Sequence, residues 1–450
     1  MTTYVIVAVL LFGCLMVVTE SLTKINKAAV AIFVGTVGWM LYITNGASFV
    51  VSQHPEQFAS FLNGASSTDY NVMEFIARHI FIRHVGQAAE IVLFLLSTMT
   101  IVEILSSNGC FDFISHLLRT RNSRHMLWIL TGVTFFLSAN LDNLTTTVMM
   151  LTIMNKMVPD MRSRMIFGVA IVIAANGGGA LTVIGDPSGL LLWNQGAVTP
   201  TNYTLSMAIP CMVACALPVW WLGRALPPHV GIQWQAMPYR GDDTRLNSWQ
   251  RVVMLFVGIG GLWFIPTFHS ITHLSPFLGS LCVLALLWIV NEVMNRGLMN
   301  SNLVVQRGVP SAMQYGVMQM MLFVVGVMLA VGVVQETGAV DWFISQSRLY
   351  INDPWLMGIA AVPVSAVLDN FATLMAFFTL SPGALPDDSY WVSIAYASAV
   401  GGSLLPIGSV SGIALMKMER MPMAWFIKNV FVKVLVGIVV GFLVLRFLTF

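Results

Sequence analysis

Ten stretches of this chain stay apolar for long enough to cross a bilayer: 4–20, 27–44, 88–107, 165–195, 203–223, 251–267, 276–293, 314–335, 390–416 and 426–447. A hydrocarbon core takes about 20 apolar residues per helix, and about 10 per barrel strand. Inside it no water meets the backbone, so every N–H and C=O must find its partner within the chain. Runs of this length predict helices, and the chain reads as an all-α polytopic membrane protein. Charged residues make up 9% of the 450, against about 25% in soluble domains. The net charge of +2 is too small to suggest nucleic acid. Membrane lipid and small cations are the partners to expect.

The five cysteines, Cys14, Cys110, Cys211, Cys215 and Cys282, form no CxxC and sit mostly in apolar runs. They read as small apolar fillers. The opening MTTYVIVAVLLFGCLMVV has no basic leader, so it reads as a first membrane helix and not as a cleaved signal.

Two further apolar regions, 126–157 and 355–380, are interrupted in the middle by SANLDN and SAVLDN. Basic residues flank the first on both sides: Arg119, Arg121 and Arg124 before it, Lys156, Arg162 and Arg164 after it. Positive loops stay in the cytoplasm, so this region enters and returns as a re-entrant hairpin. The second lies between an Asn352-Asp353-Pro354 turn and the acidic SPGALPDDSY, and both of its flanks read as outside. With the N-terminus outside, one threading places Lys24, Lys27, Arg224, Arg240, Arg245, Arg251, Arg296, Arg307, Lys417, Arg420, Lys428 and Lys433 inside. The segment 45–87 then falls outside, where Arg78 and Arg83 run against the charge rule.

The interruption repeats. Ser138-Ala139-x-Leu141-Asp142-Asn143 returns as Ser365-Ala366-x-Leu368-Asp369-Asn370, and Thr146 returns as Thr373. Further on, GGALTVIG at 178–185 returns as GGSLLPIG at 401–408, and Ser188-Gly189 as Ser411-Gly412. Residues 1–224 and 251–450 become two inverted repeats joined by a cytoplasmic linker, 225–250. Each carries a hairpin and a broken helix, at 165–195 and 390–416. Inverted repeats of this kind build secondary transporters, with the site near the midplane where broken helices meet. No P-loop is present, so an ion gradient is the expected driving force.

A carboxylate at a helix centre costs about 2.5–3.5 kcal/mol on insertion scales. Asp142, Asp186 and Asp369 all stand at interruptions beside Gly, Asn or Pro. Non-helical backbone at that depth belongs where it lines protein or a cavity, and its carbonyls join the carboxylates as hard ligands for a small cation. Ser409 stands where the first repeat has Asp186, so the first half should hold the ion more tightly. Hydroxyls at these breaks, Thr145, Thr146, Ser188 and Ser365, are further candidates. Glu103 is one more acid in an apolar run. Glu90 and Glu336 are expected near span ends, and His79, His84, His116 and His125 at the surface.

MTIVEIL (99–105), TFFLSANLDNLTTTVMM (134–150), IVIAANGGGALTVIGD (171–186), SAVLDN (365–370) and AYASAVGGSLLPIGSVSGIALMKMER (395–420) together resemble the NhaD-type sodium/proton antiporters of the ion transporter superfamily. The resemblance covers most of 88–447. It implies exchange of sodium or lithium for protons in a bacterial inner membrane, about ten membrane helices with two re-entrant hairpins, and a scaffold that forms a homodimer. No cofactor is implied. It places binding roles on Asp142, Asn143, Asn176, Asp186, Asp369, Asn370, Ser403 and Ser409, and a proton-linked role on Glu103. Sodium falls to Asp142, Asn143, Asn176 and Asp186, with Asp142 and Asp186 also carrying protons. Where that family has a Thr-rich run after GD, this chain has Pro187-Ser188-Gly189-Leu190, which leaves Ser188 as the hydroxyl there. The main rival is a sodium-coupled anion or dicarboxylate carrier of the same superfamily. Acids at both tips would repel an anion. A channel is disfavoured because no selectivity-filter motif is present, and an enzyme because no nucleophile–base pair or HExxH is.

Overall fold

Helices begin in this chain where a short polar side chain can accept from the first turn. Asn122 takes the amides of Arg124 and His125, Asp160 that of Ser163, Asp353 that of Trp355 and Asp388 that of Tyr390. The computed structural model describes residues 2–23, 25–63, 66–118, 120–229, 231, 246–295, 311–347, 353–380 and 384–449. Lys24, Arg119, Arg240, Arg245, Arg296, Arg307 and Asn352, used above to orient the chain, lie outside the described residues. So do the His116 side chain and residues 232–245 of the linker.

Sixteen helices carry the architecture: α1 (Thr2–Val18), α2 (Lys27–Thr44), α3 (Asp69–Ser107), α4 (Ser123–Leu141), α5 (Asn143–Met157), α6 (Met161–Gly179), α7 (Pro187–Asn194), α8 (Pro200–Gly223), α9 (Ser248–Thr272), α10 (Pro276–Met294), α11 (Ser311–Glu336), α12 (Pro354–Val367), α13 (Asn370–Thr379), α14 (Ser389–Gly401), α15 (Val410–Glu419) and α16 (Met423–Thr449). Among the described residues there is no sheet, only an isolated bridge between Asn122 and His229. Among the described residues seven helices are long and apolar enough to cross a membrane: α2, α3, α8, α9, α10, α11 from Val317 onward, and α16. The runs 165–195 and 390–416 are not continuous helices. Each is a pair, α6 with α7 and α14 with α15, parted by a non-helical stretch. The run 88–107 is the end of a longer helix that starts at Asp69 and passes through a π-turn at Ile76–Phe81.

The close pairings fall into two groups. In one, α2 lies along α11 and α3 along α10, with α1 and α9 beside them. Both pairs are parallel. Gly35 meets Leu329 and Gly38 meets Val333, while Trp39 donates to the Leu329 carbonyl at 3.1 Å. Ser97 reaches Ser280 at 2.5 Å and Asn108 reaches Asn291 at 2.8 Å. In the other group α4 packs on α6, α12 on α14, and α8 on α16. The last pair is antiparallel, because Gly437 faces the Ala214 carbonyl and Gly441 that of Pro210. Between the groups contact is thinner, chiefly α11 on α13 and α3 on α4 and α7.

One expectation is overturned, the surface placement of His84, while Glu336 lies at a span end as expected. His84 is buried, and its Nε2 lies 2.8 Å from Glu336 Oε1. Glu336 closes α11 but is only 5% exposed. It also accepts from Arg83 at 2.8 Å and meets His54 Nε2 at 2.6 Å. Burying a carboxylate demands such partners. Arg83 and Arg78, the two exceptions to the charge rule, are both paired, Arg78 with Glu74 at 3.1 Å.

Candidate ion-binding site

Asp142 is the single residue between α4 and α5, at φ 89°. That is a conformation a non-glycine residue holds at a cost of about 1–3 kcal/mol, and such strain gathers at functional sites. Its Oδ1 caps α5 by accepting from Leu144 N at 2.8 Å and Thr145 N at 3.0 Å. Asp186 does the same for α7, accepting from Ser188 N at 2.8 Å, and Asp369 for α13, accepting from Phe371 N at 3.1 Å. All three acids are buried, none more than 3% exposed. Three of the four breaks therefore put a carboxylate and a helix N-terminus at the same point, and at the fourth Ser409 is the cap, accepting from Gly412 N at 3.1 Å.

Glycine brings the breaks together. A Cβ on Gly178 would collide with the Phe135 carbonyl, and one on Gly408 would lie 2.6 Å from the Ala366 carbonyl. Only bare backbone lets α4 approach α6, and α12 the turn before α15, so closely. Two hydroxyls fasten these contacts: Ser138 donates to the Ala175 carbonyl at 2.6 Å, and Ser365 to that of Ser398. Ser365 is thus engaged as an anchor and not as an open ligand.

Asp186 is the meeting point. Its Oδ2 accepts from Asn143 Nδ2 at 2.8 Å and from Asn370 Nδ2 at 2.5 Å, so both interrupted pairs deliver an amide to one oxygen. Asn176 Nδ2 donates to Ser403 Oγ at 2.9 Å and Ser409 Oγ at 3.0 Å. Because a carboxylate only accepts, the Asn143 amide is fixed with its nitrogen on Asp186 and its oxygen free. Asp142 Oδ2, Asn143 Oδ1, Thr145 Oγ1, Thr146 Oγ1, Thr147 Oγ1, Asn176 Oδ1, Ser188 Oγ and Thr373 Oγ1 are all buried without a hydrogen-bond partner. Thr145 Oγ1 and Ser188 Oγ lie near the carboxylates of Asp142 and Asp186 without completing such a bond. Buried polar atoms have partners in roughly 90% of cases or more. A concentration of orphaned oxygens beside two acids is what a small hard cation requires.

The structure thus brings together Asp142, Asn143, Asn176, Asp186, Asn370, Ser403 and Ser409, with Thr145, Thr146 and Ser188 among the open oxygens. Asp369 differs: its Oδ2 lies 2.6 Å from Lys27 Nζ, in an ion pair. Glu103 is half-buried on α3, and no hydrogen bond among the described residues joins it to this cluster. Sequence reasoning did not anticipate the open Thr147 hydroxyl or the pairing of Lys27. Its position directly after the Asn26 cap, at the foot of an apolar run, read as a loop charge. A cavity of about 250 Å³ reaches Thr145 and is lined also by Glu20, Lys27, Met320 and Lys417.

Known proteins resemble this chain along most of its length. A family model described as "Citrate transporter" matches residues 3–393. "Sodium/proton antiporter 1" of Arabidopsis thaliana is 32% identical over 379 residues, 82% of this chain and 62% of that protein. "Sodium/proton antiporter 2" of the same plant is 30% identical over 351 residues, 77% of this chain and 82% of that protein. "Na(+)/H(+) antiporter NhaD" of Vibrio parahaemolyticus is 25% identical over 412 residues, 85% of this chain and 90% of that protein. The chain spans less than two-thirds of the first relative's length and more of the other two.

Proposed function

We propose, from the premise that this chain belongs to the citrate transporter family, that it is a secondary transporter exchanging sodium or lithium for protons across a bacterial inner membrane. Its relatives are named for that exchange. The observation that carries the reading is the set of open oxygens on Asp142, Asn143, Asn176 and Ser188 around two buried acids. Either a proton or a sodium ion can neutralise Asp142 and Asp186. The two occupants compete, and a doubly charged empty site resists crossing a low-dielectric interior. That resistance couples the fluxes.

Citrate is a poor fit. The only fixed cation found beside the three acids among the described residues is Lys27, and Asp369 holds it. A tricarboxylate would meet Asp142 and Asp186 unshielded.

The membrane arrangement belongs to the same proposal. The α4–α5 and α12–α13 pairs are two re-entrant hairpins, and α6–α7 and α14–α15 are broken helices crossing near the midplane. An inverted repeat, 1–224 and 251–450 about a cytoplasmic linker, requires its second and third elements to pair across the halves with their chain directions parallel. The pairing of α2 with α11 and of α3 with α10 supports this. It also requires the last helices of each half to meet antiparallel, and the packing of α8 against α16 supports that. Dimerisation through the first group of helices is part of the proposal.

The test uses proteoliposomes loaded with a pH-sensitive dye. Pulses of sodium or lithium should move protons in the opposite direction, citrate should move none, and Asp142→Asn should abolish the response. Citrate uptake by the wild type, or proton flux that survives in well-folded Asp142→Asn vesicles, would overturn the reading.

A further inference from the structure

Lys27 opens α2, in the first group of helices, yet its ammonium lies 2.6 Å from Asp369, at the tip between α12 and α13 in the second group. The pair is deep: the lysine side chain is 11% exposed and the aspartate 2%. The ring of Phe323, on α11, lies 4.5 Å from the same ammonium. The anchor is firm, because α2 is locked against α11 by close glycine approaches at Gly35 and Gly326. The cargo end is close by, because the next residue, Asn370, donates to Asp186. An ion pair therefore joins the framework to the tip that touches the proposed ion site.

We propose that Lys27 is a resident counter-cation for Asp369, which sodium must displace, and that its ammonium tethers the second tip to α2 until it does. This deepens the exchange reading above and rests on it. An unpaired carboxylate at this depth is costly, so Asp369 needs a positive charge in every state. Lys27 supplies it when no ion is bound. A sodium ion arriving at Asp186, whose Oδ2 already meets Asn370 of this tip, offers the same charge with a smaller radius and no stem. The ammonium then withdraws into the cavities that its side chain already lines, of about 320 and 250 Å³. Glu20 lines both and can receive it. Asp369 is on this account an acid shared between two cations, which is a different role from the direct ligand that the sequence suggested.

The consequence is directional. Removing Lys27 takes away a competitor, so sodium should bind more tightly, whereas damage to a merely structural contact would weaken binding. The experiment measures radioactive sodium binding to purified, detergent-solubilised protein by scintillation proximity at pH 8.5, alongside exchange in the dye-loaded vesicles. Lys27→Met should lower the sodium Kd by at least about fivefold, the lower end of typical coupling between sites, and the apparent KM of exchange should follow. Asp369→Asn strands the ammonium beside the site and should raise Kd. Lys27→Met/Asp369→Asn, with neither charge, should return Kd close to wild type. If Lys27→Met does not give a monodisperse protein, Lys27→Gln keeps a polar end and serves in its place. An unchanged or weaker Kd in a well-folded Lys27 variant overturns the proposal, as does a double variant no better than Asp369→Asn. A wild type that binds sodium but exchanges no protons would overturn the exchange reading, while the Kd series still judges the tether. A wild type that binds no sodium overturns both.

Discussion

Asp142, Asp186 and Asp369 share one local task, capping a helix, and differ in what meets their remaining oxygen. Asp369 meets an ammonium, Asp186 meets two amides, and Asp142 Oδ2 meets no hydrogen-bond partner. The acids were legible in the sequence because a charge inside an apolar run is conspicuous. Their partners were not. Lys27 and Asp369 are 342 positions apart, and Glu336 is 282 from His54. Local pattern carries no information about such pairings, and a basic residue at the edge of a run reads as a loop. The hydroxyls allow a sharper separation of roles. Ser188 Oγ is open and Ser365 Oγ is bonded to backbone. Ser188→Ala should raise the apparent sodium KM several-fold, about what one neutral hydrogen bond or ligand of 1 kcal/mol contributes, with thermal stability unchanged. Ser365→Ala should do the reverse, losing about 1 kcal/mol of stability and keeping KM. Exchange titrations and thermal unfolding of the two variants decide it, and matching effects on both would refute the distinction.

The interrupted elements were legible as repeats, and their breaks fall where Gly, Pro and Asp cluster. Their lengths were harder to read. α4 has 19 residues, about 28 Å of helix at 1.5 Å per residue, enough to cross a bilayer unaided. Length alone thus allows region 126–157 to pass through and emerge on the far side. The basic flanks argue for return, and α4 and α5 adjoin and pack on each other as a returning pair would. Cysteines placed at Arg121 and Asp160 should both react with an impermeant maleimide from the cytoplasmic side, and one at Asp387 only from the opposite side. Labelling of Arg121→Cys and Asp160→Cys from opposite faces would remove the hairpin.

For the molecule as a whole, the informative feature is the seam between the two groups of helices. Three cavities, of about 320, 250 and 100 Å³, all lie along it. The smallest is apolar, bounded by Leu10, Val34 and Phe323 on one side and Leu368, Ala372 and Ala376 on the other. Protein interiors are close-packed, so three voids along one interface make it the place where packing can change with least loss of contact. Ala372→Leu should fill the smallest void and stabilise this arrangement by about 1 kcal/mol. If the seam is where the parts move, maximal exchange should fall while sodium binding persists. A stabler protein with undiminished turnover would show that the void takes no part in motion. The two-group division was invisible in the sequence, where the spans of both groups are strongly apolar. Membrane helices sort by small-residue contacts and hydrogen bonds across faces, and those appear only once the helices are placed.

The two amides that converge on Asp186 Oδ2 come from opposite halves of the chain, Asn143 from the first and Asn370 from the second. Duplication by itself would yield two pockets that could open one at a time. Here neither tip can withdraw without stripping a donor from the acceptor it shares with the other. The two tips are yoked at one atom, and a rearrangement that keeps both bonds carries the tips as a single body.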